Sequence, residues 1–227
     1  MGFLNTTLEH VLNILFPVKC LSCGESGSDL CVKCLSDISA AERECAEWIY
    51  PIYDYRNPVI KNALWALKYS NKKNLAKTFA DVLYARIVEE LSELAVMQNF
   101  HNAILIPIPL SPERRRERGY NQAELICDEL MKINTLNSGL SLTLQKNILI
   151  KPKDTEHQAR IKNRNIRLKN VVGSFAIKNP EENFKLLAKR NIILIDDITT
   201  TGATLSEAKK VLKQAGARKI IAFTVAH

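Results

Sequence analysis

The strongest constraint on the fold is a segment of thirteen residues, Ile192 to Thr204, which reads IILIDDITTTGAT. Its apolar start predicts a short buried strand, and the residues that follow it have helical periodicity. Gly202 and small residues between a strand and a helix let backbone N–H groups converge on a phosphate, and the helix N-terminus adds the positive end of its dipole. The segment therefore predicts an anion-binding loop at the carboxyl end of a strand.

Strand-like and helix-like runs alternate along most of the chain. The predicted strands are 103–108, 192–195 and 220–225, and the predicted helices are 121–133 and 204–214. Upstream, two helices begin at Val59 with a break near Ser70 and Asn71, after a linker or edge strand from Pro51 to Pro58. This order indicates an α/β fold with a mostly parallel sheet, helices on its faces, and ligands beyond the carboxyl ends of its strands.

Four cysteines near the N-terminus form a C-x2-C-x7-C-x2-C array: Cys20, Cys23, Cys31 and Cys34. Paired thiolates at this spacing suit one tetrahedral Zn²⁺, and four protein ligands make such a site structural. Two disulfides, buried thiols and an iron–sulfur cluster are the alternatives. Cys45 and Cys127 stand apart and are expected to be small core residues. We expect residues 1–50 to contain an N-terminal helix and this zinc module, and residues 51–227 to form the α/β domain.

The charge balance favours anionic ligands. The chain has 32 Lys and Arg against 24 Asp and Glu, a net charge of +8. Basic residues cluster at Arg114–Arg118, and seven of the nineteen residues from Lys151 to Lys169 are Lys or Arg. No apolar run approaches the roughly 20 residues that span a bilayer, and residues 1–16 predict an amphipathic helix rather than a signal peptide. We therefore expect a cytoplasmic protein without a membrane span.

The two carboxylates of the anion-binding loop suggest a sugar ligand. Asp196 and Asp197 follow the strand directly, where they can accept hydrogen bonds from neighbouring ribose hydroxyls and stabilise positive charge on the ribose. The alternative is an acidic helix cap beside a solvated turn.

This segment resembles the phosphoribosyl pyrophosphate (PRPP) motif of the type I phosphoribosyltransferases, in which T-T-G-x-T follows two acidic residues, an apolar residue and any residue. The resemblance implies PRPP binding with Mg²⁺. It assigns the ribose and catalytic role to Asp196 and Asp197, and phosphate binding to Thr199, Thr200, Thr201, Gly202, Ala203 and Thr204.

Further segments resemble the ComF competence family, which joins a cysteine module to this domain. They are the cysteine array, LKYSNKKNLAK at 67–77, PIPLSPERRRERGYNQAE at 107–124 and the PRPP loop. The resemblance implies a pyrophosphate loop with Arg118, Gly119 and Asn121, and a flexible loop over the site with Thr155, Gln158 and Arg164. It also implies a role in natural transformation, with partners in the DNA-uptake machinery.

Two functions agree with these residues. One is a phosphoribosyltransferase, for which the sequence identifies neither the acceptor nor a general base. The other is a binding protein that senses PRPP or holds single-stranded DNA through Lys151–Lys169 and Arg114–Arg118. Tyr69 and Tyr120 stand beside basic residues and either stack on bases or pack internally.

Overall fold

The computed structural model describes residues 17–42, 45–137, 139–152 and 172–227. The predicted N-terminal helix within residues 1–16 lies outside the described residues. So do Thr155, Gln158 and Arg164 of the predicted flexible loop.

Helices and strands alternate as the sequence pattern predicts. The described helices are α1 (Val32–Ser36), α2 (Pro58–Tyr69), α3 (Leu75–Gln98), α4 (Pro112–Arg118), α5 (Gln122–Leu136), α6 (Pro180–Leu187) and α7 (Ala203–Gln214). The described strands are β1 (Ile49–Tyr53), β2 (Ala103–Pro107), β3 (Leu142–Leu144), β4 (Leu149–Ile150), β5 (Ala176–Ile177), β6 (Ile192–Ile198) and β7 (Ile220–Ala226). Strand β3, the strands β4 and β5, and the helices α1, α4 and α6 were not predicted. Helix α4 lies in the segment that was expected to be a loop.

The main sheet has five strands in the order β1-β7-β6-β2-β3, and all of its pairings are parallel. The predicted mostly parallel sheet is therefore confirmed. Strand β1 pairs with β7 and is an edge strand, one of the two alternatives for the segment that begins at Pro51. Because the strands are parallel, their carboxyl ends meet at one edge of the sheet. Strand β6 brings Asp196 and Asp197 to that edge.

Helices cover both faces of the sheet. The central strands β2 and β7 are buried along their whole length, as expected for strands covered on both sides. One core cluster joins the sheet to α2, α3 and α5 and includes Phe79, Leu105 and Ile126. A second cluster, on the opposite face, joins it to α7 and to the β4–β5 hairpin and includes Leu149 and Leu205.

The cysteine module packs on the same face of the sheet as α2 and α3. Leu30 and Leu35 are buried in the same core cluster as α2 and α3. The Lys72 ammonium, between α2 and α3, lies 2.5 Å from the buried Asp29 carboxylate, and this ion pair ties the module to the helices. The sheet itself begins at Ile49, close to the predicted domain boundary at residue 50.

Among the described residues, no helix combines the length and the apolar character needed to cross a membrane.

Candidate functional site

A cavity of about 700 Å³ lies at the carboxyl edge of the sheet. We call it the carboxyl-edge cavity. Its walls are the loop after β6, the carboxyl end of β2, helix α2 and helix α4. The polar and aromatic residues that line it are Tyr55, Trp65, Lys68, Tyr69, Ser111, Arg114, Arg118, Lys151, Asp196, Asp197 and residues 199–204. The acidic pair and the whole predicted phosphate loop thus line the same cavity.

The phosphate loop changes direction at Gly202. Its φ is +72°, a left-handed value that glycine adopts without strain, and it is the N-cap of helix α7. A Cβ on this residue would lie 3.2 Å from Ile49 Cδ1, so the position is also closely packed. The Thr199 N–H donates to the Ala226 carbonyl, which anchors the start of the loop to β7. The loop therefore presents the N-terminus of α7 to the cavity, as an anion site requires.

The acidic pair is held at the end of β6 by two contacts. Lys68 Nζ on α2 lies 2.8 Å from Asp197 Oδ2, and the Asp197 N–H donates to Asp196 Oδ1 at 2.9 Å. Burial raises the pKa of Asp196 to about 8, and the charge of Asp197 adds to this effect, whereas Lys68 opposes it. One carboxyl group of the pair thus takes up a proton more readily than an exposed aspartate does.

Arg118, at the end of α4, is the predicted pyrophosphate-loop residue that lines the cavity. Its Nη1 donates to Gln122 Oε1 at 3.0 Å, and its Nη2 donates to the Tyr69 hydroxyl at 3.2 Å. Its Nε is buried and has no hydrogen-bond partner among the described residues. The guanidinium is therefore oriented by two neighbours at the edge of the cavity.

The other arginines of α4 are Arg114, Arg115 and Arg116, and they lie on different sides of the helix. Arg114 also lines the cavity. Arg115 forms a bidentate ion pair with Glu124, with N–O distances of 2.6 and 2.9 Å, and Arg116 is exposed. The sequence did not distinguish these three residues, and the structure places Arg114 alone of them in the cavity wall.

Gly119 and Asn121 do not line the cavity. Gly119 ends α4 with a φ of +78°. Asn121 is buried, accepts a hydrogen bond from the Ala123 N–H at the start of α5, and donates to the Ile108 carbonyl at 2.9 Å. Both residues shape the chain around Arg118.

Two cavity residues on α2 were missed by the sequence analysis. Lys68 lies in the segment used for the family resemblance, but its pairing with Asp197 joins residues far apart in the chain. Trp65 lies one helical turn before Tyr69, and the two rings are 5.4 Å apart with 58% and 50% of each residue exposed. Tyr120, the other candidate for base stacking, instead donates its hydroxyl to the Leu67 carbonyl at 2.5 Å. Tyr69 is therefore available at the cavity and Tyr120 packs internally.

The four cysteines of the array converge. Their sulfur atoms all lie within 4.8 Å of one another, and the Cys23 and Cys31 sulfurs are 3.7 Å apart. A tetrahedral zinc–thiolate centre with bonds of about 2.3 Å separates its sulfurs by about 3.8 Å, so the cluster fits this ion. Burial opposes ionisation of Cys20, but hydrogen bonds from the backbone of Cys23 and Cys31 lower its pKa to about 6, whereas contacts with the other thiols raise the pKa of Cys23 and of Cys31. A thiolate is the form that binds metal.

Comparison with known proteins agrees with this geometry. A profile of the phosphoribosyl transferase domain matches residues 144–227. Competence protein F of Haemophilus influenzae is 27% identical, covering 87% of this chain and 81% of that protein. Competence protein ComFC of Streptococcus pneumoniae is 29% identical, covering 88% and 81%. The DNA utilization protein YhgH of Escherichia coli K12 is 22% identical, covering 84% and 74%.

The profile match includes β6, the loop that follows it, α7 and β7, so this part of the chain is similar to the phosphoribosyl transferase domain. Over more than four fifths of its length, the chain is also similar to competence protein F, competence protein ComFC and the DNA utilization protein YhgH.

Proposed function

We propose that the carboxyl-edge cavity binds PRPP together with Mg²⁺, and that the protein uses this site in handling DNA during natural transformation. The observation that carries the proposal is one cavity that combines an acidic pair, an anion-binding helix N-terminus and an oriented arginine. The competence and DNA-utilization names of its homologues support the cellular role.

Each part of the cavity suits one part of PRPP. The turn at 199–204 offers backbone N–H groups and hydroxyls to the 5′-phosphate. Asp196 and Asp197 accept hydrogen bonds from the two ribose hydroxyls, and Arg118 faces the pyrophosphate. Mg²⁺, a hard cation that prefers oxygen ligands, neutralises phosphate charge when it enters with the ligand.

The same residues suit transfer of the ribosyl group. As pyrophosphate leaves the anomeric carbon, positive charge develops on the ribose, and the adjacent Asp197 carboxylate stabilises it, joined by Asp196 once that group has lost its proton. Arg118 stabilises the charge on the departing pyrophosphate. Exposed ring surface on Trp65 and Tyr69 gives a planar acceptor a place to stack beside the acidic pair.

A second candidate is a PRPP-sensing or DNA-binding factor without turnover. No histidine lines this cavity within the described residues, and the two aspartates there are the proposed partners of the ribose hydroxyls. Product analysis after incubation with PRPP, Mg²⁺ and candidate acceptors separates the two functions. Release of pyrophosphate that depends on an acceptor supports the enzyme, and binding without products supports the sensor.

Calorimetry with PRPP and Mg²⁺ tests the site itself. Asp197→Asn removes a charged acceptor and should weaken PRPP binding about tenfold or more. Gly202→Val places a branched side chain at a left-handed φ and against Ile49, so it should abolish binding. Thr78→Val, an exchange on α3 away from the cavity, is the matched control. Unchanged affinity in both site variants would remove the proposed site.

We also propose that the four cysteines bind one structural Zn²⁺. The four sulfurs lie within 4.8 Å of one another, close enough to share one ion, and the Cys31 N–H donates to the Cys20 sulfur at 3.4 Å. Such a centre would hold the segment from Val18 to Asp37 against α2 and α3. Its chemistry would be structural, because four thiolates fill the coordination sphere.

A further inference from the structure

A second recess, of about 530 Å³, lies at the opposite edge of the sheet. We call it the amino-edge groove. The residues that line it precede β2, β3, β6 and β7, whose amino ends meet at this edge because the strands are parallel. They are Asn99, His101, Asn102, Ser141, Lys189, Arg190, Asn191 and Arg218. None of them lines the carboxyl-edge cavity.

The groove is positively charged. Lys189, Arg190 and Arg218 line it, and no carboxylate is among its lining residues. Lys213 and Lys219 extend the charge, since the Lys213 ammonium donates to the Arg218 carbonyl and Lys219 is the next residue. Within the part of the chain that the structure describes, none of these five cations forms an ion pair with a carboxylate.

Several exposed cations elsewhere on the protein pair with a neighbouring carboxylate. Arg86 pairs with Glu89 and Glu90, Arg115 with Glu124, and Lys132 with Glu129. The amino-edge groove differs from these paired sites because it gathers five neighbouring cations, none of which has a carboxylate partner among the described residues. A surface with this property attracts anions from solution.

The two guanidinium groups are held in place by neutral acceptors. Arg190 Nη2 donates to the Asn102 carbonyl at 3.1 Å, and Arg218 Nε donates to Asn191 Oδ1 at 3.0 Å. Arg190 Nε is buried with no hydrogen-bond partner among the described residues. These bonds orient the arginines without cancelling their charge. Burial lowers the pKa of Lys219, and the charge of Arg218 adds to this, which reflects the crowding of like charges.

We propose that the amino-edge groove binds the phosphodiester backbone of a nucleic acid. Three cations in the cleft and two beside it match a row of singly charged phosphates, and Arg and Lys are the residues that contact such phosphates. No Trp, Tyr or Phe among the described residues lines the groove and His101 is its one aromatic ring, so phosphate contacts dominate and binding should have little sequence preference. The site is separate from the proposed PRPP site, and both ligands can be bound at once.

Fluorescence anisotropy with a labelled oligodeoxythymidine of 20 nucleotides tests the proposal. The variant K189E/K213E reverses two exposed charges beside the groove, and K61E/K77E, on α2 and at the start of α3, makes the same change in net charge elsewhere. Each phosphate contact on a single strand contributes a slope of about 0.7 in log affinity against log salt. The groove variant should bind roughly 10- to 30-fold more weakly at 0.1 M salt, with a slope smaller by about 1.4.

Three comparisons complete the experiment. PRPP with Mg²⁺ at saturation should leave oligonucleotide binding unchanged. The same measurement with a duplex shows whether one or two strands are preferred. A 10-fold excess of inorganic phosphate over oligonucleotide phosphate should not displace the strand. A thermal melting curve of the neutral variant K189Q/K213Q shows whether weaker binding comes from loss of folding. Equal losses in the groove and control variants, or complete displacement of the oligonucleotide by PRPP and Mg²⁺, would overturn the proposal.

Discussion

Lys68 Nζ lies 2.8 Å from Asp197 Oδ2, and this ion pair joins helix α2 to the carboxyl end of strand β6. Both side chains are largely buried, with 16% and 10% of each exposed. A cation of the protein itself therefore already neutralises part of the acidic pair. A ribose that takes the carboxylates as acceptors must share Asp197 with the Lys68 ammonium or displace it.

Loss of Lys68 should destabilise the fold. Lys68→Met keeps the length of the side chain but leaves Asp197 without its cation beside a second carboxyl group. The free energy of unfolding should fall by about 1–3 kcal/mol, measured by urea denaturation at pH 7. Lys61→Met, on an exposed position of the same helix, is the control. The double variant with Asp197→Asn should regain part of the loss, and strictly additive effects would argue against the pairing.

Asp196 should make stability depend on pH in an unusual direction. Its pKa is raised to about 8, whereas an unfolded aspartate titrates near 4. Between these values the folded state holds a proton that the unfolded state has released, so the free energy of unfolding falls as pH rises. The slope is present from about pH 4 to about pH 8 and disappears above that range.

Asp196→Asn removes the titrating group and keeps an oxygen that can accept from the Asp197 N–H. Its melting temperature should therefore exceed that of the native chain by several degrees at pH 8.5, and the difference should shrink towards pH 5. Asp81→Asn, on the exposed surface of α3, is the control and should show no such trend. A constant difference across this pH range would contradict the raised pKa.

Removal of zinc should unfold the cysteine module. Cys23→Ser removes one thiolate from the cluster, and we expect metal analysis to show loss of the single zinc ion and proteolysis to cleave within residues 18–37. Cys127→Ser is the contrasting case, since Cys127 is buried in the α/β core and lies outside the cluster. That variant should keep its zinc. Purified protein without metal, with all four cysteines open to thiol reagents, would contradict the assignment.

The sequence predicted the parts of the site that are contiguous in the chain. A strand, two carboxylates, a left-handed glycine and a helix follow one another from Ile192, so local pattern was sufficient. Lys68 was missed because more than a hundred residues separate it from Asp197. The contact depends on how α2 packs on the sheet. Helix propensity and periodicity describe one element at a time and contain no information about such a pairing.

The α4 region shows a second limit of prediction from sequence alone. The run Arg114–Arg118 reads as one basic cluster, yet the helix sends Arg114 and Arg118 to the cavity and Arg115 to Glu124. Residues four apart share a helix face and adjacent residues do not, so the phase of the helix decides the role of each arginine. The start of the helix, at a serine N-cap followed by proline, fixes that phase. Which face meets the cavity follows from tertiary packing alone.

The neighbouring residues Arg118 and Asn121 should respond to mutation in different ways. Arg118 lines the cavity and is held by side chains of Gln122 and Tyr69. Arg118→Lys keeps the charge but loses the planar fork, so PRPP affinity measured by calorimetry should fall about tenfold while the free energy of unfolding hardly changes.

Asn121→Ser should instead reduce the stability of the fold more than the affinity for PRPP. Serine still caps α5, but it cannot replace the hydrogen bond from the Asn121 amide to the Ile108 carbonyl, which is buried at the end of β2. The free energy of unfolding should fall by about 1–3 kcal/mol, the cost of a buried acceptor without a partner. Because Ile108 lines the cavity, PRPP affinity should fall only through displacement of this wall, and by less than in Arg118→Lys. A large loss of affinity in Asn121→Ser at unchanged stability would instead make Asn121 a direct ligand of pyrophosphate.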